Sequence, residues 1–387
     1  MNPQKIIISA ALIVAVALGI FYLNSQKVDR SSGNNGAVTV TPRVAVDSAA
    51  GQTSTSSAPS ETPLQKSAAS NASPVAKKPI PSQDKSKKYD LAKEITTPDG
   101  FINTDGKPVT ISQYIGKKVI LIDFWTYSCI NCQRTTPYLN AWYEKYKDKG
   151  LVIIGIHTPE FEFEKVYQNV LDATKKEGIK YPVVLDNDYS TWTAYQNRFW
   201  PRKYLIDIDG YVIYDHIGEG AYEETEKKIQ EALSERMTVL WENGTINTAV
   251  TKEIATQNGA KSPETYFGRA RNREQAKLLF PKNAWDIQPE FAQNNSANAS
   301  IVYTYTAKDV FFVAEAGTET LVEVLLDGKP LGKEAGVDII KTSDGKSVAK
   351  IKEARLYKLI QGEKSETHKL ELRIQSPGLK AFTFTFG

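Results

Sequence analysis

From Ile6 to Leu23 the chain runs apolar without a single charge, reading IIISAALIVAVALGIFYL. As a helix, at about 1.5 Å per residue, this stretch spans roughly 27 Å, close to the ~30 Å hydrocarbon core of a bilayer. Gly19-Ile20-Phe21-Tyr22-Leu23 offers no small-x-small cleavage site. Residues 1–24 therefore read as an uncleaved transmembrane signal anchor, with a cleaved signal peptide as the alternative. The pattern then collapses. Residues 25–88 are rich in Ser, Ala, Thr, Pro, Gly and Lys and nearly without aromatics. Such a segment cannot bury enough apolar surface to offset its ordering entropy. It reads as a flexible tether, about 45 Å end to end as a random coil.

Periodicity returns near Tyr89. Asp105-Gly106 predicts a hairpin turn. Val119 to Trp125 is a continuous apolar run broken only by Asp123, the signature of a buried central strand. An amphipathic helix is expected from Ile130 to Lys147, closing at Gly150, and then a second buried strand from Leu151 to Ile156. A helix over Lys165 to Glu177, a strand over Tyr181 to Leu185 and a short helix over Ser190 to Arg198 follow. Lys203 to Ile208 and Tyr211 to His216 flank the turn Asp209-Gly210. A last helix covers Glu223 to Met237, with Ile229, Leu233 and Met237 on one face. This order predicts an α/β domain over residues 89–240.

Residues 241–264 are polar and read as a connector. From 265 to 387 the rhythm is of short strands with period-two alternation. Leu370, Leu372 and Ile374 alternate with Lys369, Glu371 and Arg373, and Phe382, Phe384 and Phe386 with Thr383 and Thr385. Asp327-Gly328 and Pro377-Gly378 mark turns. The expectation is an all-β sandwich, jelly-roll-like in architecture.

Charge excludes more than it selects. The 387 residues carry a formal net charge of +3 and no dense basic stripe, so nucleic acid is not an expected partner. The two cysteines, Cys129 and Cys132, are three positions apart. A bridge closing so small a loop removes little entropy from the unfolded chain and is a poor staple. The spacing suits reversible redox chemistry. A zinc site needs about four ligands, and neither a second CxxC nor a His pair exists, so no metal is expected.

Cys129 stands at the start of the helix that follows a buried strand. A helix amino terminus presents free N–H groups and positive potential, which stabilise a thiolate nucleophile. Cys132, one turn on, can resolve a mixed disulfide by attacking Cys129. An unpaired carboxylate at Asp123, within an apolar strand, has an elevated pKa suited to proton transfer. Trp125 is expected to pack beside the dithiol. An export-like start together with redox cysteines places the domains after residue 24 outside the cytoplasm.

The stretch Ile122-Asp123-Phe124-Trp125, followed by Cys129-Ile130-Asn131-Cys132, resembles the thioredoxin superfamily, and within it the membrane-anchored TlpA-like and DipZ-like thioredoxins. Pro137 matches the proline of the active-site helix. Trp200-Pro201 matches the cis-proline that faces the dithiol. The resemblance covers residues 90 to 240. It implies a thiol–disulfide oxidoreductase of the cell envelope in which Asp123 exchanges the proton of Cys132, and Trp200, Pro201 and Trp125 bind substrate. The redox-active disulfide would serve without a further cofactor. It also implies disulfide-bonded client proteins and a membrane electron-transfer protein as thiol donor, hence a reductant. Two departures stand out: Ser128 replaces the usual aromatic, and Ile-Asn replaces the usual dipeptide between the cysteines, which tunes reduction potential. His157-Thr158-Pro159-Glu160 looks DipZ-like, and loops at strand carboxyl ends line such active faces, which makes His157 and Glu160 candidates for tuning the thiols. The spacing Thr126-x-x-Cys129 also occurs in peroxiredoxins, although Ile122 fills their Pro position, so a thiol peroxidase of the same fold is an alternative.

Residues 265–387 offer no clustered nucleophile or acid. His368, beside an alternating strand, reads as a solvated or capped residue. DipZ-like proteins end in a β-sandwich resembling carbohydrate-binding modules, and Ala381 to Gly387 looks like theirs. That implies a glycan as a partner of this domain, with an exposed aromatic strip as the discriminating feature. The further alternative is an envelope binding protein whose β domain dominates function.

Overall fold

The computed structural model describes residues 84–252 and 260–387. The anchor expected at 1–24 and nearly all of the tether at 25–88 lie outside the described residues, as does part of the connector. Among the described residues, no helix is long and apolar enough to cross a membrane.

The first half is built on a six-stranded sheet. Its strands are β1 (Gly100–Ile102), β2 (Val119–Trp125), β3 (Leu151–His157), β4 (Val183–Leu185), β5 (Arg202–Ile206) and β6 (Val212–Ile217), in the order β1-β4-β3-β2-β5-β6. Strands β2, β3 and β4 are parallel, while β5, β6 and β1 join antiparallel. Both faces of β2 and β3 are covered, and every residue of each is buried, which is why they read as near-continuous apolar runs. Parallel neighbours need a crossover, and helix α1 (Ile130–Tyr146) supplies it between β2 and β3. Helices α2 (Tyr167–Lys176), α3 (Ser190–Ala194) and α4 (Tyr222–Val239) complete the half.

Two local expectations fail. Asp105 and Gly106 take the positive φ values of a tight turn, 51° and 73°, but β1 does not fold back into a hairpin. It pairs with β4 instead, and the chain beyond it drops Val109 and Ile111 into the core. Helix α3 stops at Ala194, short of Arg198, because Gln196 adopts a left-handed φ of 49° that ends a right-handed helix.

The second half is all-β, as expected, but its strands are not uniformly short. Ala299–Ala316 runs for 18 residues and Arg355–Ile374 for 20, paired antiparallel along their length. All eleven strands of this half join one hydrogen-bonded sheet. Register shifts at Ala307/Asp309 and Val310/Phe311 let the long pair continue past irregularities that would otherwise end it. Leu370, Leu372 and Ile374 are buried as their alternation requires.

The phenylalanine triplet behaves differently. The last strand, Leu379–Phe386, pairs Thr383 with Val313 and Ala381 with Ala314, so Phe382 is an extra, bulged residue. A bulge shifts side-chain alternation to the other face. Phe384 and Phe386 therefore enter the core of the β half, while Phe382 turns the opposite way. It meets Phe161 and Phe163 of the first half edge-on, with ring centroids 5.1 and 4.8 Å away. Phe311, Val313 and Leu356 join it in the apolar cluster that also holds Trp125, Tyr127 and Trp142. The two halves thus share one core. Among the described residues of 265–387, Phe280 is the one exposed aromatic, so the strip expected of a glycan platform is absent.

Truncating Phe382 should cost both halves together. Phe382→Ala is expected to destabilise the protein by about 3–5 kcal/mol, the usual range for a buried aromatic cut to Ala. Guanidinium titrations followed by tryptophan fluorescence and by far-UV circular dichroism should report the same lowered midpoint. Loss confined to one half would contradict a shared core.

Candidate active site

The site is assembled where β2 gives way to α1. Cys129 is the N-cap of α1 in extended conformation (φ −83°, ψ 118°), and its sulfur accepts a hydrogen bond from the Cys132 N–H at 3.2 Å. The pair is joined as a disulfide with its Cα atoms 5.2 Å apart. Cys129 is half-buried, and Cys132 is 2% exposed. The outer sulfur is the one a partner can reach, and it sits where unsatisfied N–H groups and the helix dipole favour negative charge. Pro137 lies inside α1 on its exposed side.

Asp123 lies in the middle of β2 and is almost wholly buried, with one carboxylate oxygen, Oδ1, lacking any hydrogen-bond partner. Burial pushes its pKa up to about 7, against the opposing pull of Lys203. Lys203 is directly across from it in register on β5 and is itself completely buried. Its ammonium donates to the Gly218 carbonyl at 3.1 Å. Burial pulls the Lys203 pKa down, while the Asp123 charge opposes that shift. On the other side of Asp123, β3 presents Gly155. A Cβ there would lie 2.9 Å from the Trp125 indole nitrogen, so glycine makes room for that ring. Sequence reasoning missed Lys203. The available signal was a lone lysine in the otherwise apolar run Tyr204-Leu205-Ile206, two residues after Pro201.

Trp125 is buried, packs edge-on to His157 and borders the same apolar cluster as Cys129. His157 is also fully buried, stacked on Tyr127, with Nε2 3.4 Å from the Thr126 hydroxyl and Nδ1 unpaired. Burial drops its pKa to about 3, so it is a neutral imidazole in the packing beside the loop. The Trp200–Pro201 peptide is cis; the Trp200 indole donates to the Thr158 carbonyl at 3.0 Å and packs on Trp192.

Glu160 turns away from the cysteines. Its carboxylate pairs with Arg271 and accepts from the Tyr266 hydroxyl, both in the β half. The acid that does reach the active-site loop is Glu164, which the sequence reading passed over. It is fully buried, and it accepts from the Ser128 hydroxyl at 2.6 Å and from the Ser128 N–H at 3.2 Å. His368, expected to be solvated or capped, bonds Asp327 through Nδ1 at 2.7 Å at the surface of the β half.

As for a metal, the described residues bring one set of acids close enough together, Asp207, Asp209 and Glu235. The ammonium of Lys85 already lies 2.5, 2.9 and 2.6 Å from their oxygens, which makes this an ion-pair anchor for the start of the fold.

The opposing pulls on Asp123 give a testable sign. Its carboxyl should be protonated at pH 6 and ionised at pH 8, with a midpoint near 7 by ¹³C NMR of labelled aspartate. Lys203→Met removes the charge that holds this pKa down and should move the midpoint further up. A midpoint in the ordinary carboxylate range, or one unmoved by the substitution, would contradict the buried-pair description.

Comparison with known proteins agrees with this geometry. Residues 83–233 match the Redoxin family, and residues 282–387 match a family described as a thioredoxin-like C-terminal domain. The chain is 38% identical to protein DipZ of Mycobacterium tuberculosis over 318 residues, covering 76% of this chain and 43% of DipZ. It therefore spans less than half the length of that relative. It is 35% identical to the thiol-disulfide oxidoreductase ResA of Bacillus cereus over 132 residues, covering 34% of this chain and 73% of ResA. Among solved structures, the thioredoxin domain of a thiol-disulfide oxidoreductase from Bacteroides vulgatus aligns over 36% of this chain and 96% of its own, at 27% identity and a TM-score of 0.31. With its dithiol at the head of a helix and ResA matched over most of its length, the chain belongs to the thioredoxin-like thiol–disulfide oxidoreductases.

Proposed function

We propose that this protein reduces disulfides in client proteins outside the cytoplasm, using the Cys129–Cys132 pair without a further cofactor. The observation that carries this reading is the asymmetry of the pair: one half-exposed sulfur at a helix N-terminus and one buried sulfur a turn behind it. In the reduced protein the Cys129 thiolate attacks a client disulfide. A mixed disulfide forms, and the first client sulfur leaves as a thiolate that takes up a proton. Asp123 accepts the proton of Cys132, whose sulfur then attacks Cys129. The S–S bond to the client breaks, and the second client thiolate departs and is protonated. Two electrons have moved to the client, and Cys129–Cys132 is oxidised. A membrane electron-transfer protein acting as thiol donor would return it to the dithiol. Trp200 and the cis Pro201 would offer the surface that receives the client segment.

The extracytoplasmic assignment and the anchor rest on the apolar run Ile6–Leu23 and on the placement of a redox dithiol after it. The peroxidase alternative rests on the Thr126-x-x-Cys129 spacing, and Ile122 fills the position where peroxiredoxins carry Pro.

The cysteine roles are separable. Cys129→Ala should abolish reduction of insulin disulfides, while Cys132→Ala should accumulate mixed disulfides with clients because the resolving step is lost. Asp123→Asn should slow that step about 10²-fold, within the usual range for general base catalysis, and should remove its rise between pH 6 and 8. Faster alkylation of Cys132 than of Cys129 at neutral pH would reverse the assignment. The direction of electron flow is read from the reduction potential: a value near about −270 mV indicates a reductant and one near about −120 mV an oxidant.

Topology is checked independently. The protein should remain in membranes after alkaline carbonate washing, and protease added from outside should degrade residues 90–387. Protection of that region would sink the localisation.

A further inference from the structure

The carboxylate of Glu164 is bound by four donors from two separate segments. Oε1 accepts the N–H and hydroxyl of Ser128, the residue directly before Cys129. Oε2 accepts the N–H groups of Glu160 and Phe161, at 2.6 and 3.0 Å. The second segment is fixed in turn by the β half. Glu160 is paired with Arg271, and Phe161 and Phe163 pack on Phe382. A wholly buried carboxylate is costly unless each lone pair is used, and here the donors that satisfy it are those that define the active-site loop. Nothing in the proton shuttle through Asp123 uses this group.

We propose that Glu164 is a positioning residue for Cys129: acting through Ser128, it holds the loop that delivers the nucleophilic sulfur and sets how readily the dithiol is oxidised. Its charge lies beside the residue that precedes Cys129, so it opposes formation of the thiolate there. Burial and the neighbouring charge of Glu160 raise the pKa of Glu164 to about 7, while the Ser128 and Thr126 hydroxyls favour its ionised form. The other ionisable groups facing it are Tyr127 from the active-site loop and Tyr189 ahead of α3, both raised by burial and by Glu164 itself. Arg271 offsets Glu160 from the β half, and His157 behind Thr126 is neutral. Removing the Glu164 charge leaves the thiolate with less opposition, and the reduced state gains.

This inference rests on the disulfide-exchange reading, and one experiment on the full chain tests both. Wild type, Glu164→Gln and Ser128→Ala are equilibrated with glutathione redox buffers, and the pH dependence of Cys129 alkylation is recorded for each. Glu164→Gln should shift the equilibrium about tenfold toward the dithiol, equivalent to about 30 mV for a two-electron couple. The alkylation midpoint should move to lower pH. Ser128→Ala, which weakens the ionised form of Glu164, should shift the equilibrium the same way by about threefold and should add nothing in the Glu164→Gln background. A purely structural role predicts a lowered melting temperature with an unchanged equilibrium and alkylation profile, and that result overturns the proposal. If Glu164→Gln does not fold, Ser128→Ala decides alone, by its own shift or its absence. A wild-type pair that fails to equilibrate with glutathione overturns the exchange reading as well.

Discussion

A single bulged phenylalanine joins the chemistry of one half to the architecture of the other. Phe382 leaves the alternation of its own strand and inserts against Phe161 and Phe163. The loop holding those rings is the one whose N–H groups bind Glu164, and Glu164 binds the residue before Cys129. Because this contact is apolar and buried, it ties the loop to the β half without directional bonds, and polar contacts at its margins add register. The Tyr127 hydroxyl donates to the Ala354 carbonyl, and Arg134, two residues after Cys132, lies 3.7 Å from Asp309. Three segments flanking the dithiol therefore touch the β half. That half is part of the scaffold on which the loop rests, rather than a module loosely hung behind it.

Burial also explains the electrostatics. Asp123, Glu164, Lys203 and His157 are all shut away from solvent around β2, β3 and β5, and desolvation drives each toward its neutral form. Against that common pressure, local partners separate their behaviour. His157 has no charged partner and stays neutral. Lys203 and Asp123 each favour the charge of the other.

The central architecture was legible in the sequence because buried parallel strands leave near-continuous apolar runs, and Val119–Trp125, interrupted only by Asp123, and Leu151–Ile156 are such runs. Cys129, Cys132, Asp123 and the Trp200–Pro201 pair were legible through spacing and family resemblance. The remainder depends on contacts between distant segments. Gln196 ends α3 through a backbone angle that its residue type does not announce. The Phe382 bulge reverses a side-chain pattern that period two assigns to the other face. Glu160 and Glu164 sit four residues apart in Glu160-Phe161-Glu162-Phe163-Glu164, and nothing local says that the first pairs with the β half while the last turns in to Ser128. Lys203 could have been noticed as a charge in a strand, but its partner is set by the register of β5 on β2.

The two buried acids differ in the lone pairs they have free. Asp123 keeps one oxygen without any hydrogen bond, and a proton can be received there without breaking an existing contact. Glu164 has four donors on its two oxygens, and protonating it would force one of them to let go. Both acids feel strong desolvation, and for both the pKa rises to about 7. Their pKa values therefore do not distinguish their roles, whereas their hydrogen bonding does. An acid with an open lone pair suits proton exchange, and an acid with none suits holding a loop in place. The same burial that makes a carboxylate expensive thus leaves one acid open to a proton at the centre of β2 and the other fully bonded beside the residue that precedes Cys129.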